Sequence, residues 1–291
     1  MWRREPLTQT TLTPFRPIQA GAFTLPTDRR TVVMGILNIT PDSFSDGGKY
    51  HQMESAMNRA RQLVADGADL IDVGGESTRP GYTPVSLEEE LQRVIPVIRE
   101  LSQTIDVPIS IDTTKAEVAR QAVEAGAHII NDQWGCKKDP DMARTAAELD
   151  VPVILMHNRE EARYHSLMEE VCADLMECVD IARRAGVKEE RIILDPGIGF
   201  GKTHSQNLTV MNHLEQIVEL GFPVLLGTSR KSLVGRTLDL PVEERVEGTG
   251  ATVTLGIAKG CRMVRVHDVK EMVRFSRMTD AMVNASAGGD L

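Results

Sequence analysis

Eight times along this 291-residue chain, a short apolar run ends at a polar residue and gives way to an amphipathic segment with helical spacing. The runs lie at 33–37, 70–73, 107–111, 128–130, 151–156, 191–194, 223–226 and 261–266. Strand-then-helix alternation predicts a parallel sheet, because each helix must carry the chain back to the end where the previous strand began. Eight such units predict a closed (β/α)8 barrel. A doubly wound open sheet is the alternative, but no GxGxxG follows the first run to support a dinucleotide fold. The units use nearly all of 31–285, so one domain is expected, with an arm at 1–30 and a short tail at 286–291. Within the arm, 22–25 are expected to form a short strand pairing with the residues that lead into Val33.

Local signals refine the helices. Met53, Ala56, Met57, Ala60, Leu63 and Val64 repeat at helical spacing. Ser86 with Glu89 forms a capping box ahead of an apolar stripe that Pro96 should kink. Residues 206–220 and 242–258 each read as one helix, with Gly248 and Gly250 marking close packing in the second. Asp268 with Glu271 is expected to cap the last.

A net charge of −9 argues against nucleic acid as a partner, since phosphate backbones require a basic surface. No apolar run reaches membrane-spanning length, so a soluble, cytoplasmic protein is expected. Cys136, Cys172, Cys178 and Cys261 form no CxxC pair and no zinc-type spacing, which points to free thiols in a reducing compartment. No HExxH or clustered His/Cys pattern suggests zinc.

In a barrel the functional face is the one where the strands end. The closing residues here are Asn38, Asp72, Asp112, Asn131, His157 and Asp195, with Lys231 just beyond its strand and Arg265 and His267 at the last. Helix capping accounts for one or two of these but not for carboxylates and amides at several strands together. After Asn38 the first run becomes a polar loop with Pro41, Asp42 and the pair Gly47-Gly48, either an ordinary turn or a loop presented to the site. Arg265 and His267 lie two apart and share one side of their strand. Such a pair suits an anion such as diphosphate; the alternative is an arginine bridging to acidic residues of the mouth. Asp112, Asn131 and Asp195 can read the amidine-like edge of a pterin or guanine-type ring, and Phe200 offers an aromatic wall or a rim cover. His128 reads as structural, and His157 is open between pocket wall and ligand.

Taken together these segments resemble dihydropteroate synthases. The resemblance rests on GILNITPDSFSDGG at 35–48, DVGGESTRPG at 72–81, SIDT at 110–113, IIND at 129–132, LDPGIGFGKT at 194–203, TSRKS at 228–232 and RVHDVKE at 265–271. WGCKKDP after Gln133 looks like the variant of firmicute-type bacteria. Members of the family join p-aminobenzoate to (7,8-dihydropterin-6-yl)methyl diphosphate, releasing diphosphate and 7,8-dihydropteroate in folate synthesis. The resemblance implies that Asp112, Asn131, Asp195 and Lys231 hold the pterin, and that Thr78, Arg265 and His267 hold the diphosphate. It implies Asn38 as a contact of an accompanying Mg2+, Thr78, Pro80, Phe200 and Ser232 around p-aminobenzoate, and Asp42 on a closing loop. Lys231, Arg265, His267 and Asp42 are then the residues acting on the reaction. A homodimer and sulfonamide binding are further implications, and no role is assigned to Gln133 or Cys136. A pterin-binding methyltransferase has no use for the Asn38 loop, the STRPG loop or the Arg265/His267 pair. A non-catalytic pterin-binding paralogue would be expected to have lost them.

Overall fold

A computed structural model describes residues 15–39, 49–76 and 85–285. Eight parallel strands form the centre: β3 (Val32–Asn38), β4 (Leu70–Gly74), β5 (Ile109–Asp112), β6 (Ile129–Asp132), β7 (Val153–Met156), β8 (Ile192–Asp195), β9 (Leu225–Leu226) and β10 (Met263–Val266). Their order is β8-β7-β6-β5-β4-β3-β10-β9, and a parallel bridge from Leu194 to Val224 joins the two ends, closing the barrel. Helices α1 (Lys49–Ala65), α2 (Leu87–Thr104), α3 (Ala116–Glu124), α4 (Met142–Leu149) and α5 (Leu167–Arg184) follow the first five strands. After β8 come α6 (His204–Asn212) and α7 (Leu214–Val218); after β9, α8 (Ser232–Leu238) and α9 (Val246–Ala258); after β10, α10 (Val269–Asn284).

Successive strand residues face opposite sides of a sheet, so each barrel strand contributes to two cores. One parity (Leu37, Ile71, Val73, Ile111, Ile130, Leu155, Leu194 and Val264 among others) packs outward against the helices in one large cluster. The other parity fills the barrel: Val32, Met34, Leu70, Ile129, Ile154, Ile193, Leu225 and Met263 form a separate apolar layer at its N-terminal end. Ile18, Ala20 and Leu25 join that layer from below. They come from a hairpin of β1 (Ile18–Ala20) and β2 (Phe23–Leu25), paired antiparallel about the turn Gly21-Ala22.

The hairpin corrects the expectation that 22–25 would pair with the residues leading into Val33. Gly21 adopts φ +60, so the chain reverses immediately and Phe23 pairs with Ala20. His128 is structural as expected: Ile109 N donates to its Nδ1 at 3.2 Å, and its ring meets Phe23 edge-on at 5.0 Å.

Three helical expectations are also revised. The helix expected over 206–220 divides at His213, whose ψ of 28° leaves the helical range, giving α6 and α7. Residues 242–244 form a 3-10 turn and α9 begins only at Val246, while α8 was not anticipated. Asp268 makes no side-chain cap on α10; its carboxylate instead receives Arg230 Nε at 2.8 Å and Nη2 at 2.5 Å. Other signals hold. Ser86 Oγ accepts from Glu89 N at 3.1 Å, and Pro96 lies inside α2. A Cβ on Gly250 would stand 2.4 Å from Phe275, so α9 and α10 are in close contact there.

Leu25 is 2% exposed, and Leu25→Ala should cost about 2–5 kcal/mol by opening a cavity under the barrel. The urea midpoint should fall with the slope unchanged; a loss under about 0.5 kcal/mol would mean that the hairpin is not part of the core.

Candidate active site

The parity that builds the apolar floor also builds the opposite end. Counting two residues at a time from the floor leads from Leu70 to Asp72, from Ile129 to Asn131 and Gln133, from Ile193 to Asp195, and from Met263 to Arg265 and His267. Asp112 and Asn38 end their own strands. Polar side chains from most of the strands therefore converge on the C-terminal mouth.

Arg265 is the centre of that layer. Its Nε donates to Asp72 Oδ2 at 2.6 Å and its Nη2 to Asp112 Oδ2 at 2.7 Å. Asn131 Nδ2 donates to the same Asp72 oxygen at 3.1 Å, leaving Asn131 Oδ1 as an acceptor. Gln133 Nε2 reaches both oxygens of Asp112, at 2.7 and 2.9 Å. Of the two readings of Arg265 open in the sequence, the bridge to acidic groups is the geometry found. Two carboxylates with 0% and 7% exposed side chains share one guanidinium. Burial pushes the Asp112 carboxyl up to about 7, against the pull of Arg265 and reinforced by Asp72. Burial works against the charge on Arg265 too, but Asp72 and Asp112 outweigh it and its pKa rises.

Asp195 and Lys231 form the other half. Asp195 Oδ1 accepts from Gly197 N at 2.7 Å. Burial raises its pKa, opposed first by Lys231. Lys231 Nζ donates to Ile198 O at 2.6 Å and lies 4.6 Å from the centroid of the Phe200 ring, a cation–π distance. Burial lowers the Lys231 pKa to about 8, with Asp195 pulling the other way. The turn that makes these contacts requires glycine at 197, where φ is +64 and a Cβ would meet His157 O at 1.9 Å. Phe200 is half-buried, and Ser232 is exposed at the start of α8.

His267 is tied to Ser229, whose Oγ accepts from the His267 backbone N and lies 3.0 Å from its Nδ1. Asn38 is half-buried at the end of β3, and a Cβ on Gly74 would lie 3.7 Å from its Oδ1 and 3.6 Å from Asp112 Oδ2. Asn38 and Asp112 thus flank Gly74. Asp42, Thr78 and Pro80 lie outside the described residues. Among the described residues no group of three His, Cys, Asp or Glu side chains could hold a metal ion.

Sequence reading left Asp72 and Gln133 without roles, although both complete the network around Arg265. Position Asn131 plus two was the available signal for Gln133. His157 is neither pocket wall nor ligand: it is buried, bonded to Asp174 and Lys202.

As chemistry, the mouth offers carboxylates and an amide oxygen to accept, and an ammonium to donate, around a space lined on one side by an aromatic ring. That set suits a flat heterocycle with alternating donors and acceptors.

Comparison with known proteins agrees. The family described as Pterin binding enzyme matches residues 34–267. The chain is 61% identical over 255 residues to a dihydropteroate synthase of Bacillus subtilis, covering 88% of this chain and 90% of that one. It is 60% identical over 255 residues to that of Clostridium beijerinckii, covering 87% and 95%. Among solved structures, the Xanthomonas albilineans dihydropteroate synthase with 4-aminobenzoic acid superposes with a TM-score of 0.88 at 43% identity, covering 93% of this chain and 99% of that one. The chain belongs to the dihydropteroate synthase family of pterin-binding enzymes.

Proposed function

We propose that this protein condenses p-aminobenzoate with (7,8-dihydropterin-6-yl)methyl diphosphate, giving 7,8-dihydropteroate and diphosphate. The observation that carries this reading is the convergence of Asp112, Asn131, Asp195 and Lys231 on one barrel mouth, in a chain of this family. Asp195 Oδ2 and Asn131 Oδ1 accept from the pterin, Lys231 donates to it, and Asp112 completes the set through its link to Arg265 and Gln133.

The reaction begins with departure of diphosphate from the methylene carbon, because the electron-rich pterin ring can delocalise the cation left behind. Buried carboxylates at Asp112 and Asp195 favour that cation, acting where water cannot screen them. His267 and the Nη1 edge of Arg265, with Thr78, face the departing anion. The amine of p-aminobenzoate is neutral at pH 7, so its lone pair attacks the carbon without a strong base and the proton leaves afterwards. Phe200 and Ser232, with Thr78 and Pro80, border the p-aminobenzoate half, where a sulfonamide of similar shape would compete. Asp42 acts from a loop that closes over the bound pair.

Mg2+ fits this site as a companion of the diphosphate rather than as an ion caged by protein. A single amide oxygen, Asn38 Oδ1, sits beside Gly74 at the mouth, and magnesium readily takes its other ligands from phosphate oxygens and water. When bound, the ion neutralises charge on the leaving group.

A second copy of the chain is the proposed partner. Leu208, Leu238 and Leu255 are 44%, 48% and 39% exposed on α6, α8 and α9 and line one apolar groove with Met211 and Leu233, the kind of patch that a homodimer buries. The four cysteines are unpaired, which supports a reducing, cytoplasmic setting. Among the described residues no helix is long and apolar enough to cross a membrane.

Purified protein supplied with Mg2+, the dihydropterin diphosphate and p-aminobenzoate should release dihydropteroate and diphosphate in equal amounts; no product at high enzyme concentration would overturn the proposal. Asp195→Ala should weaken pterin binding by about a hundredfold, as expected for a lost charged acceptor. Asp42→Ala should leave binding largely intact and lower kcat. Calorimetry with the pterin diphosphate beside steady-state kinetics separates the two, and identical behaviour would refute the division between pocket and closing loop.

The kcat/KM for the pterin substrate should be bell-shaped. Below about 7 Asp112 gains a proton and its negative charge is lost; above about 8 the Lys231 ammonium loses its proton. Activity therefore rises with pH through the first value and falls through the second. Asp112→Asn should remove the acid limb and Lys231→Arg the alkaline one; a wild-type profile flat across this range would contradict the assignment.

A further inference from the structure

The dihydropteroate synthase reading leaves one buried cluster without work, directly behind the turn that carries Phe200. Lys202 Nζ lies 2.7 Å from His157 Nδ1, 3.1 Å from Gly197 O and 3.1 Å from Phe200 O. Burial lowers the Lys202 pKa to about 7, opposed first by Asp195, but all three of its neighbours can accept, so the protonated amine donates one N–H to each. The imidazole can accept because of what lies beyond it. His157 Nε2 is 3.0 Å from Asp174 Oδ2, which also receives Arg159 Nε at 2.6 Å. A carboxylate that takes the Nε2 proton leaves Nδ1 as a bare lone pair. His157, with a side chain 0% exposed, is held neutral: burial drives its pKa down to about 3, with Lys202 acting in the same direction. The direction of hydrogen bonding is therefore fixed, from Lys202 to His157 to Asp174.

The two carbonyls that Lys202 holds bracket a third with a different partner. Gly197 O and Phe200 O face Lys202, whereas Ile198 O, between them, accepts from Lys231. The same turn gives Gly197 N to Asp195. One short loop is thus gripped from behind by Lys202 and from the pocket by Asp195 and Lys231.

We infer that Lys202 is a positioning residue, oriented by His157 and Asp174, which fixes the 197–200 turn so that Phe200 is presented to the p-aminobenzoate half of the site with the Lys231 ammonium held against its ring. It touches no substrate. Its effect reaches the reaction through the placement of an aromatic wall and of the ammonium stacked on it.

This inference rests on the proposed condensation, so wild-type turnover is measured first. Without turnover that reading fails, and the cluster is still tested by 15N chemical shifts of His157, which should report a bare Nδ1 that changes on Lys202→Met. With turnover, Lys202→Met should raise KM for p-aminobenzoate about tenfold and change kcat less than about threefold, the pattern of lost binding rather than lost chemistry. His157→Leu should match it, and the double variant should show no further rise, because the two residues act as one unit. His157→Asn, which returns an acceptor near the Nδ1 position, should restore KM to within about threefold of wild type. Lys202→Gln carries the same test if the methionine variant does not fold. Multiplicative effects in the double variant, a fall in kcat at constant KM, or no rescue by asparagine would overturn the inference.

Discussion

A single guanidinium holds the barrel mouth in one arrangement. Arg265 from the last strand binds Asp72 from the second and Asp112 from the third, so one side chain spans three strands of the closed sheet. Two buried carboxylates cannot both remain charged at that separation without a cation between them. Withdrawing the arginine would leave both uncompensated, a change that typically costs about 3–5 kcal/mol for a single buried pair. Asn131 and Gln133 then attach to the two carboxylates, so these polar groups of the mouth inherit their positions from this one contact.

The period of the β-strand explains how an apolar floor and a polar mouth come from the same residues' neighbours. Alternate positions along each strand face the barrel interior, so hydrophobicity at the entry and charge at the exit occupy one column. The β1–β2 hairpin completes the floor with Ile18, Ala20 and Leu25. A dry base below and charges paired through Arg265 above hold the mouth in one arrangement.

Much of this was legible in the sequence, and the failures have identifiable physical causes. Eight apolar runs closed by polar residues indicate a barrel because burial on both faces makes such strands continuous in hydrophobicity. Arg265 and His267 could be assigned to one side because their spacing of two is a strand property. What their partners would be could not be read, since Asp72 and Asp112 are 193 and 153 residues away from Arg265 in the chain. Asp268 carried a convincing local capping signal, yet Arg230 outcompetes the helix end for its carboxylate. His213 carries no Gly or Pro to announce the break between α6 and α7. Gln133 and Lys202 stood in plain view, but their roles depend on which neighbour their side chains reach.

The pair between Arg230 and Asp268 has a mechanical side. Arg230 adopts the left-handed conformation at φ +56, its amide donating to Thr249 Oγ1 and its carbonyl receiving Arg245 Nη1, so its own backbone is pinned. Its chain neighbour is Lys231, and the neighbour of Asp268 is His267. The two loops that end the seventh and eighth strands are therefore yoked one residue behind their working groups. Lys231 cannot move inward without pulling on the segment that carries His267, so the two loops shift together, in effect as one jaw.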